Sequence, residues 1–458
     1  MPMKPDNAHP VDELAADIHC RTLSHNPDLL ALHEAFPERY PHLLESAASG
    51  QRERYDILFA FPGESIELRE PDDFDFLAAL DTAWQKERVA GKGGQAMELP
   101  FHGGWFLYLA YELAGQIEPR LQLPRDDSEL PVACATRFPA AIIFDHASNQ
   151  SVLVSEQYPL LATMLADLDQ VPSRAVRNGY PVVKLYEDPD EHYLEAVERV
   201  LDYIREGDVF QVNLSRAWKG EWPPHTETAQ LYRRLRTANP GPFNGLATFG
   251  ANAVMSSSPE RLVEVHDGQV QTRPIAGTRP RAGDEQRDAA LSRELMAHPK
   301  ERAEHIMLID LERNDLGRIA IPGSVEVSEL MVLESYASVH HIVSNVQAEV
   351  RPDTTPGDVI RAVFPGGTIT GCPKVHCMEI IAALEDTGRG AYTGSMGYLN
   401  RDGSLDLNIL IRTLVRSGGE LTFRAGAGIV ADSDPHHELQ ETRAKARAIM
   451  HALEQGQA

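Results

Sequence analysis

The pattern of hydrophobic and polar positions divides the chain into a weakly patterned first part and a strongly patterned remainder. In residues 1–150, short strand-like runs at 56–61 and 140–145 alternate with loops. Residues 170–190 contain three prolines and little periodicity, which is typical of a linker. The pattern therefore predicts two regions joined near residue 180.

From residue 191 onward the predicted elements are distinct. Apolar residues at helical spacing within 192–208 predict a helix that stops at Gly207, and residues 285–317 are predicted to form a long helical region. Alternating positions predict strands over 209–218, 323–330 and 338–350, and a hairpin over 405–430. A final helix begins near Pro435. Strands joined by hairpins, with helices grouped among them, predict an α+β fold rather than a parallel sheet.

The predicted hairpin carries candidate chemistry. Strict alternation along 405–416 places Asp406, Asn408 and Arg412 on one face. The partner strand runs through glycines 426 and 428, where missing side chains expose backbone N–H groups. An arginine beside open amides is a good receptor for a carboxylate. On the strand over 338–350, His340 and His341 must face opposite ways, so at most one of them lines the same site.

Two predicted helices carry acidic side chains at helical spacing. Glu301 and Glu304 lie on adjoining turns, and Glu438, Glu441 and Lys445 share one face of the last helix. Carboxylates from two helices, completed by water and substrate oxygens, form the ligand set that Mg²⁺ accepts. Solvated helix faces with Glu–Lys pairs explain the same spacing, and both interpretations stay open at this point.

Composition narrows the classes of partner. The net charge of −25 disfavours nucleic acid and anionic membrane surfaces. No apolar run is long enough to span a bilayer, and the N-terminus lacks the apolar core of a signal peptide. Four cysteines in 458 residues do not form a disulfide framework. We therefore expect a cytoplasmic protein.

The glycine-rich stretch GGTITGCPK at 366–374 has the glycine spacing of a phosphate-binding loop. Cys372 and Pro373 separate Gly371 from Lys374, however, whereas the Walker motif places lysine directly after that glycine. The stretch is not predicted to bind a nucleotide.

The ordered motifs together resemble the chorismate-utilising enzyme family. The resemblance covers residues 190–450 through GDVFQVNLS, SSSPERL, RPIAGT, KERAEH, DLERNDLGR, FPGGTITGCPK, GSMGY, IRT and GAGIVADS. The first third is a looser match, through LLES at 43–46 and FHGGW at 101–105. The resemblance implies a layered α+β sandwich of antiparallel sheets and helices, with an N-terminal subdomain at 1–170 and a chorismate-binding catalytic domain at 185–455.

Roles in the family carry over by motif position. The resemblance implies that Glu304 and Glu441 hold Mg²⁺, with Glu438 beside them, and that Glu260 acts as general acid on the C4 hydroxyl. His341 would be the active-site histidine. The residues implied to bind chorismate are Arg412, Tyr392, Lys445, Thr278 and the amides around Gly426 and Gly428.

Two positions bear on which reaction the enzyme performs. Water-using members of the family carry a lysine where this chain has Gln211, and a neutral amide cannot act as that base. QVNL, the histidine pair and GCPK resemble aminodeoxychorismate synthase component I. Many of those enzymes carry a nucleophilic lysine at the position of Ala276, whereas PIAGT resembles anthranilate synthase component I. Aminodeoxychorismate synthase is the preferred hypothesis, and anthranilate synthase is the alternative.

Further expectations concern partners and regulation. No stretch resembles a glutamine amidotransferase, so we expect ammonia from a separate glutaminase subunit or from solution. LLES resembles the tryptophan-contacting element of feedback-inhibited anthranilate synthases, which makes Ser46 a candidate tryptophan contact. A non-catalytic chorismate- or tryptophan-binding regulator is disfavoured, because a pure binder has no need for Glu260 together with the metal carboxylates.

Overall fold

The computed structural model describes residues 12–15, 18–46, 54–89, 99–171, 183–281, 283–335 and 339–454. The predicted boundary between the two regions, at 171–184, falls mostly outside these ranges. Within them the strands are β1 (Asp12–Ala15), β2 (Ile18–Thr22), β3 (His42–Glu45), β4 (Tyr55–Ala60), β5 (Ser65–Leu68), β6 (Gly104–Leu109), β7 (Ala133–Phe138), β8 (Ala140–Asp145), β9 (Gln150–Ser155), β10 (Tyr186–Glu187), β11 (Gln211–Glu221), β12 (Phe243–Phe249), β13 (Asn252–Ser258), β14 (Arg261–His266), β15 (Gln269–Thr272), β16 (Ile275–Pro280), β17 (Glu326–Ser335), β18 (Val339–Glu349), β19 (Gly371–Cys372), β20 (Ser395–Asn400), β21 (Leu405–Asn408), β22 (Thr413–Ser417) and β23 (Glu420–Ile429).

Helices are distributed along the whole chain. They are α1 (Leu29–Ala35), α2 (Phe76–Glu87), α3 (Ala114–Ile117), α4 (Tyr158–Gln170), α5 (Asp190–Glu206), α6 (Thr228–Ala238), α7 (Glu285–Ala297), α8 (Pro299–Gly317), α9 (Pro356–Val363), α10 (Lys374–Leu384) and α11 (Pro435–Glu454), with short 3₁₀ turns at Tyr111–Leu113 and Gly367–Ile369. The predicted long helical region over 285–317 consists of two helices. His298 ends α7 in an extended conformation and also caps the start of α8, where Pro299 follows.

Two antiparallel sheets form the middle of the molecule. The first sheet has the order β1-β2-β9-β8-β4-β3-β12-β13-β22-β23-β11-β10, with β19 beside β11. The second has the order β16-β18-β15-β14-β21-β20-β6-β7-β5, with β17 beside β18. In both sheets, strands from before residue 171 pair with strands from after residue 183: β3 with β12, and β6 with β20.

Apolar side chains fill three successive layers around these sheets. Phe59 and Ile143 of the first sheet pack with Phe106 and Met396 of the second, so this cluster lies between the sheets. Helices α1, α4, α6 and α11 cover the outer face of the first sheet. Helices α2, α8, α9 and α10 cover the outer face of the second sheet. This layered arrangement confirms the predicted α+β sandwich.

Local sequence explains the elements that carry the site. Helix α5 buries Tyr193, Val197 and Val200 at helical spacing and ends at Gly207, whose φ of +85° suits a residue without a side chain. The hairpin β22–β23 turns at Gly418, as the sequence predicts. In the described ranges no helix is long and apolar enough to cross a membrane.

Candidate functional site

One cavity of about 860 Å³ collects most of the side chains that the sequence singles out. It lies where β11, β16, β18 and β23 meet α8 and α11. The predicted site residues that line it are Gln211, Glu260, Ala276, Glu304, His341, Tyr392, Arg412, Gly426, Gly428, Glu438, Glu441 and Lys445. We call this space the main cavity. Residues from distant parts of the chain meet there because the antiparallel sheets bring their strands together.

Glu260 is a buried carboxyl group with a raised pKa. Burial raises its pKa from 4.5 to about 7, although hydrogen bonds from the Thr368 hydroxyl and the Ile275 amide and the charges of Arg412 and Lys445 favour the ionised form. The Thr368 hydroxyl donates to Glu260 Oε1 at 2.8 Å. A carboxyl group with this pKa is partly protonated at neutral pH, and it is therefore suited to act as a general acid.

The two adjacent histidines separate as the strand alternation predicts. His340 contacts Asp288 Oδ1 through Nε2 at 3.0 Å and Ser335 Oγ through Nδ1 at 2.7 Å, away from the main cavity. His341 lines the main cavity. Burial, together with the charge of Arg412, lowers the pKa of His341 to about 4. Its imidazole is therefore neutral at pH 7.

Arg412 reaches the main cavity by a route that the sequence pattern does not predict. The strand predicted over 405–416 is interrupted, because β21 ends at Asn408 in the second sheet and β22 begins at Thr413 in the first. Arg412 lies in this crossing, with a φ of +52°. Asp406 and Asn408 therefore do not share a face with Arg412. Asp406 instead pairs with Arg261 at 2.9 Å.

The glycines of β23 leave backbone groups open to the main cavity. The ladder between β22 and β23 ends at the pair Leu414–Phe423, so residues beyond Phe423 lack β22 as a neighbour. A Cβ atom at Gly426 would lie 2.6 Å from the Tyr392 hydroxyl, and one at Gly428 would lie 2.4 Å from Gln211 Nε2. At Gly426 the Leu214 carbonyl, 2.7 Å from the same point, also excludes a side chain, and the peptide groups of both glycines border the space beside Arg412.

The candidate metal carboxylates come from two helices. Glu304 of α8 and both Glu438 and Glu441 of α11 line the main cavity. Ser433 Oγ donates to Glu438 at 2.7 Å, and Lys445 Nζ lies 3.7 Å from Glu441 Oε1. Within the described part of the chain, no three acidic, histidine or cysteine side chains cluster closely enough to hold a metal ion unaided. The carboxylates fit Mg²⁺ as partial ligands, with water and substrate oxygens completing its coordination.

Ala276 and Thr278 lie on β16, beside His341. Ala276 is 8% exposed and lines the main cavity. A bulge separates the two residues at Gly277, which has a φ of +70° and to which His341 is hydrogen-bonded. The backbone of Thr278 pairs with His341, and its side chain lies outside the described part of the structure.

Ser46 lies in a different cavity, of about 410 Å³, between the two sheets. This second cavity is also lined by Arg54, Asn244 and Tyr398, and by Asn408 from the interrupted strand. Ser46 is buried, and its backbone N–H donates to an Asp56 carboxylate oxygen at 2.8 Å. The tryptophan contact expected at Ser46 stays a prediction.

Sequence reasoning missed Thr368, the hydroxyl partner of Glu260. The residue lies in the same glycine-rich stretch that resembles a phosphate loop, within the 3₁₀ turn Gly367–Ile369. Lys374 of that stretch forms an ion pair with Asp315 and donates to the Val363 carbonyl. Through Thr368 the loop therefore supports Glu260. The signal available in the sequence was the position of Thr368, a hydroxyl residue directly after two glycines.

Comparison with known proteins decides the family. The model of the chorismate binding enzyme family matches residues 40–451. This chain belongs to the chorismate-binding enzyme family. It is 42% identical to aminodeoxychorismate synthase component 1 of Bacillus subtilis, over 77% of each chain. It is 39% identical to anthranilate synthase component 1 of Thermus thermophilus, over 91% of this chain and 92% of the relative.

A solved structure supports the same conclusion. Anthranilate synthase component I from Streptococcus pneumoniae superposes with a TM-score of 0.79 and 31% sequence identity, over 88% of this chain and 93% of that chain. The family and the fold of this chorismate-binding enzyme are thereby confirmed. Its relatives are divided between two named synthases, so similarity alone does not choose between the two reactions.

Proposed function

We propose that this chorismate-binding enzyme is an aminodeoxychorismate synthase component I. It would convert chorismate and ammonia to 4-amino-4-deoxychorismate and water, with Mg²⁺, as a step toward 4-aminobenzoate and folate. The observation that carries amination is the neutrality of three residues that line the main cavity, Gln211 and Asn213 of β11 and Ala276 of β16. None of them can deprotonate water. Ammonia attacks without a general base, and water does not.

The charged side chains of the main cavity fit the ends of chorismate. Arg412, with the peptide groups at Gly426 and Gly428, would receive the enolpyruvyl carboxylate. Glu260 would donate its proton to the departing C4 hydroxyl, which leaves as water. The neutral imidazole of His341 would face the ring, and Tyr392, Thr278 and Lys445 would complete the binding surface.

The metal would be held by Glu304 and Glu441, with Glu438 alongside. When bound, Mg²⁺ would supply positive charge opposite the ring carboxylate of the dianionic substrate. The chain contributes only carboxylates here, so the coordination depends on the substrate and on water. This arrangement suits a metal that binds together with chorismate.

Anthranilate synthase component I remains the second candidate because of Ala276. A methyl group cannot form a covalent adduct with the ring, so the main cavity offers no lysine nucleophile at this position. Ammonia that enters at C2 would lead to anthranilate with loss of pyruvate. Against this, QVNL at 211–214 and GGTITGCPK at 366–374 resemble aminodeoxychorismate synthases.

We further propose that ammonia comes from a glutamine amidotransferase subunit in the cytoplasm. The relatives from Bacillus subtilis and Thermus thermophilus are both named as component 1 of a synthase. The name component 1 is consistent with a synthase that has a second subunit. The sequence resembles no glutaminase, which makes a separate subunit the source that fits best.

Product analysis tests the proposed reaction. The purified chain is incubated with chorismate, Mg²⁺ and ammonium, and a 4-amino-4-deoxychorismate lyase is then added. We expect no pyruvate before the lyase is added, and 4-aminobenzoate with pyruvate afterward. Anthranilate fluorescence with stoichiometric pyruvate before addition would replace this assignment with anthranilate synthase. No ammonium-dependent product from chorismate would reject both.

A further inference from the structure

One buried hydroxyl group, that of Ser344 on β18, joins several elements around the main cavity. Its Oγ atom lies 2.6 Å from Nε2 of His305 on α8, and it accepts a hydrogen bond from the Met331 N–H of β17 at 2.8 Å. The backbone N–H of Ser344 donates to the carbonyl oxygen of Pro274, just before β16, at 3.3 Å. Ser344 therefore holds β16, β17 and α8 against β18.

The hydrogen-bonded pair of His305 and Ser344 is closed to solvent and does not reach the substrate. Both side chains are 0% exposed, and neither lines the main cavity. The contact with Ser344 is the only hydrogen bond of the His305 imidazole within the described part of the chain, because Nδ1 has no partner there. Apolar packing is not directional, whereas a hydrogen bond fixes both a distance and a direction. The pair therefore specifies how α8 is oriented on β18.

We propose that His305 and Ser344 are positioning residues for the carboxylate of Glu304. The proposal rests on the proposed Mg²⁺ site and specifies what holds one of its ligands in place. Glu304 directly precedes His305 on α8 and lines the main cavity. Any rotation of α8 about its axis moves both side chains together, so fixing the imidazole also fixes the carboxylate.

The coordination geometry of Mg²⁺ makes this orientation important. Helical side chains extend about 5–6 Å from the helix axis, so a rotation of about 10° moves a carboxylate by about 1 Å. Mg²⁺ requires nearly ideal octahedral geometry, with oxygen ligands at about 2.0–2.1 Å. A displacement of about 1 Å is large on that scale. A helix that supplies a ligand to this metal therefore needs a directional contact with the sheet below it.

The backbone of Met331 shows that several contacts specify this junction at once. Met331 lies in a bulge of β17, with a φ of +52°. A left-handed backbone is unfavourable for a residue with a side chain, and it persists where the surrounding structure fixes it. The Met331 N–H is held by the Ser344 hydroxyl, and the Met331 side chain packs with Leu295 of α7 and Ile342 of β18. The strained bulge thus brings a third element onto the same hydroxyl group.

Variants that remove the hydrogen bond but keep the packing test the pair. Ser344→Ala removes the hydroxyl, and His305→Phe keeps a ring without a hydrogen-bonding nitrogen. Mg²⁺ is titrated calorimetrically into each enzyme, saturated with chorismate in the absence of ammonia. We expect the Kd for Mg²⁺ to rise about tenfold in both variants, the usual effect of losing a group that supports a metal ligand. Either variant suffices if the other fails to fold.

A conservative variant and a matched control separate positioning from general destabilisation. His305→Gln keeps a polar group near the position of Nε2, so its Kd for Mg²⁺ should rise less than that of His305→Phe. Ser151→Ala removes another fully buried hydroxyl, which donates to Asn26 Oδ1 at 3.0 Å and does not line the main cavity. This control should lower the melting temperature without changing the Kd for Mg²⁺.

A double-mutant cycle tests whether the pair acts through Glu304. In the Glu304→Gln background, Ser344→Ala should cause no further rise in the Kd for Mg²⁺, because the ligand that the pair positions is already lost. A further tenfold rise in that background would reject the positioning role.

The outcome for the pair is distinct from the outcomes for the metal site and the reaction. An unchanged Kd for Mg²⁺ in Ser344→Ala and His305→Phe, with Glu304→Gln impaired, would reject the positioning role and leave the metal site standing. Normal Mg²⁺ binding by Glu304→Gln would overturn both. If the unmodified enzyme makes anthranilate, the product assignment fails, and a raised Kd in the two variants still supports the pair.

Discussion

At the scale of single residues, burial assigns different protonation states to two groups in one cavity. Burial raises the pKa of Glu260 to about 7 and lowers the pKa of His341 to about 4. In both cases the low-dielectric surroundings disfavour the charged form. Near pH 7 the cavity therefore contains a carboxyl group that can hold a proton and an imidazole that does not. This pairing supports the proposed role of Glu260 as the proton donor.

The pH dependence of catalysis follows from that assignment. The acid must be protonated, so kcat/KM for chorismate should fall as the pH rises through about 7, the pKa of Glu260 in the free enzyme. His341 should add no further change to the profile of kcat/KM against pH near 6.5, the usual pKa of histidine, because its imidazole is already neutral at that pH. Steady-state rates with saturating ammonia, measured from pH 5.5 to 9, check this expectation.

The Glu260→Gln variant is the control for this profile. It should lose about 10²- to 10⁴-fold in kcat/KM, the usual contribution of a positioned acid, and the limb near pH 7 should disappear from the residual rate. A variant that retains the limb would assign it to another group.

The sequence predicts the identities of the site residues better than their geometry. Glu260, His341 and the glycines of β23 are recognisable from motifs, and the strand alternation correctly turns His340 away. The left-handed backbone of Arg412 is not visible in the pattern, because apolar residues occupy every second position from 405 to 411. Thr368 was missed because its role depends on a contact across the fold rather than on its neighbours in sequence.

At the scale of elements, helices α8 and α11 would each supply ligands to the proposed metal site. Each presents a carboxylate from its second turn, and both helices pack against strands that line the main cavity. Glu304→Gln and Glu441→Gln should each lower kcat by about 10²-fold or more, since each removes a charged ligand from a small set. Turnover as a function of Mg²⁺ concentration measures the effect, and melting temperatures report folding.

Glu454→Gln serves as the comparison on α11. This residue is exposed at the end of the same helix, so its substitution should leave both turnover and Mg²⁺ dependence unchanged. Full activity of either cavity variant at saturating Mg²⁺ would show that these carboxylates do not hold the metal.

At the scale of the whole molecule, the surface charge opposes the substrate. The chain carries a net charge of −25 and chorismate is a dianion. Arg279, Arg412, Arg424 and Lys445 place positive charge among the acidic side chains that also line the main cavity. The electrostatic attraction of chorismate to the enzyme depends on these few basic side chains. Added salt should therefore weaken chorismate binding only modestly.

The source of ammonia is also a property of the whole chain. We expect the purified chain to use ammonium and to leave glutamine unconsumed, because no segment resembles a glutaminase. Parallel assays that follow chorismate and glutamate measure both. Glutamine hydrolysis by the chain alone, above that of a heat-inactivated sample, would contradict this expectation.

The two predicted regions are not separate in space, although their boundary stays a prediction. Strand β3 continues the first sheet through β12, and β6 continues the second sheet through β20. A chain of residues 185–455 would expose both edges together with the apolar layer between the sheets. We expect it to aggregate or to remain unfolded. A soluble fragment with native-like circular dichroism that binds chorismate would contradict this.

The pairing of β6 with β20 has a consequence during synthesis of the protein. Strand β6 ends at Leu109, and its neighbour β20 begins only at Ser395. At about 5–20 residues per second, translation of the intervening chain takes about 15–60 s. Throughout that interval the chain is still attached to the ribosome, and the edge of β6 that later pairs with β20 has no neighbour. This strand carries aromatic side chains that are buried in the folded protein. Efficient production in a cell should therefore depend on chaperones that bind nascent chains, and slower translation would lengthen the exposure.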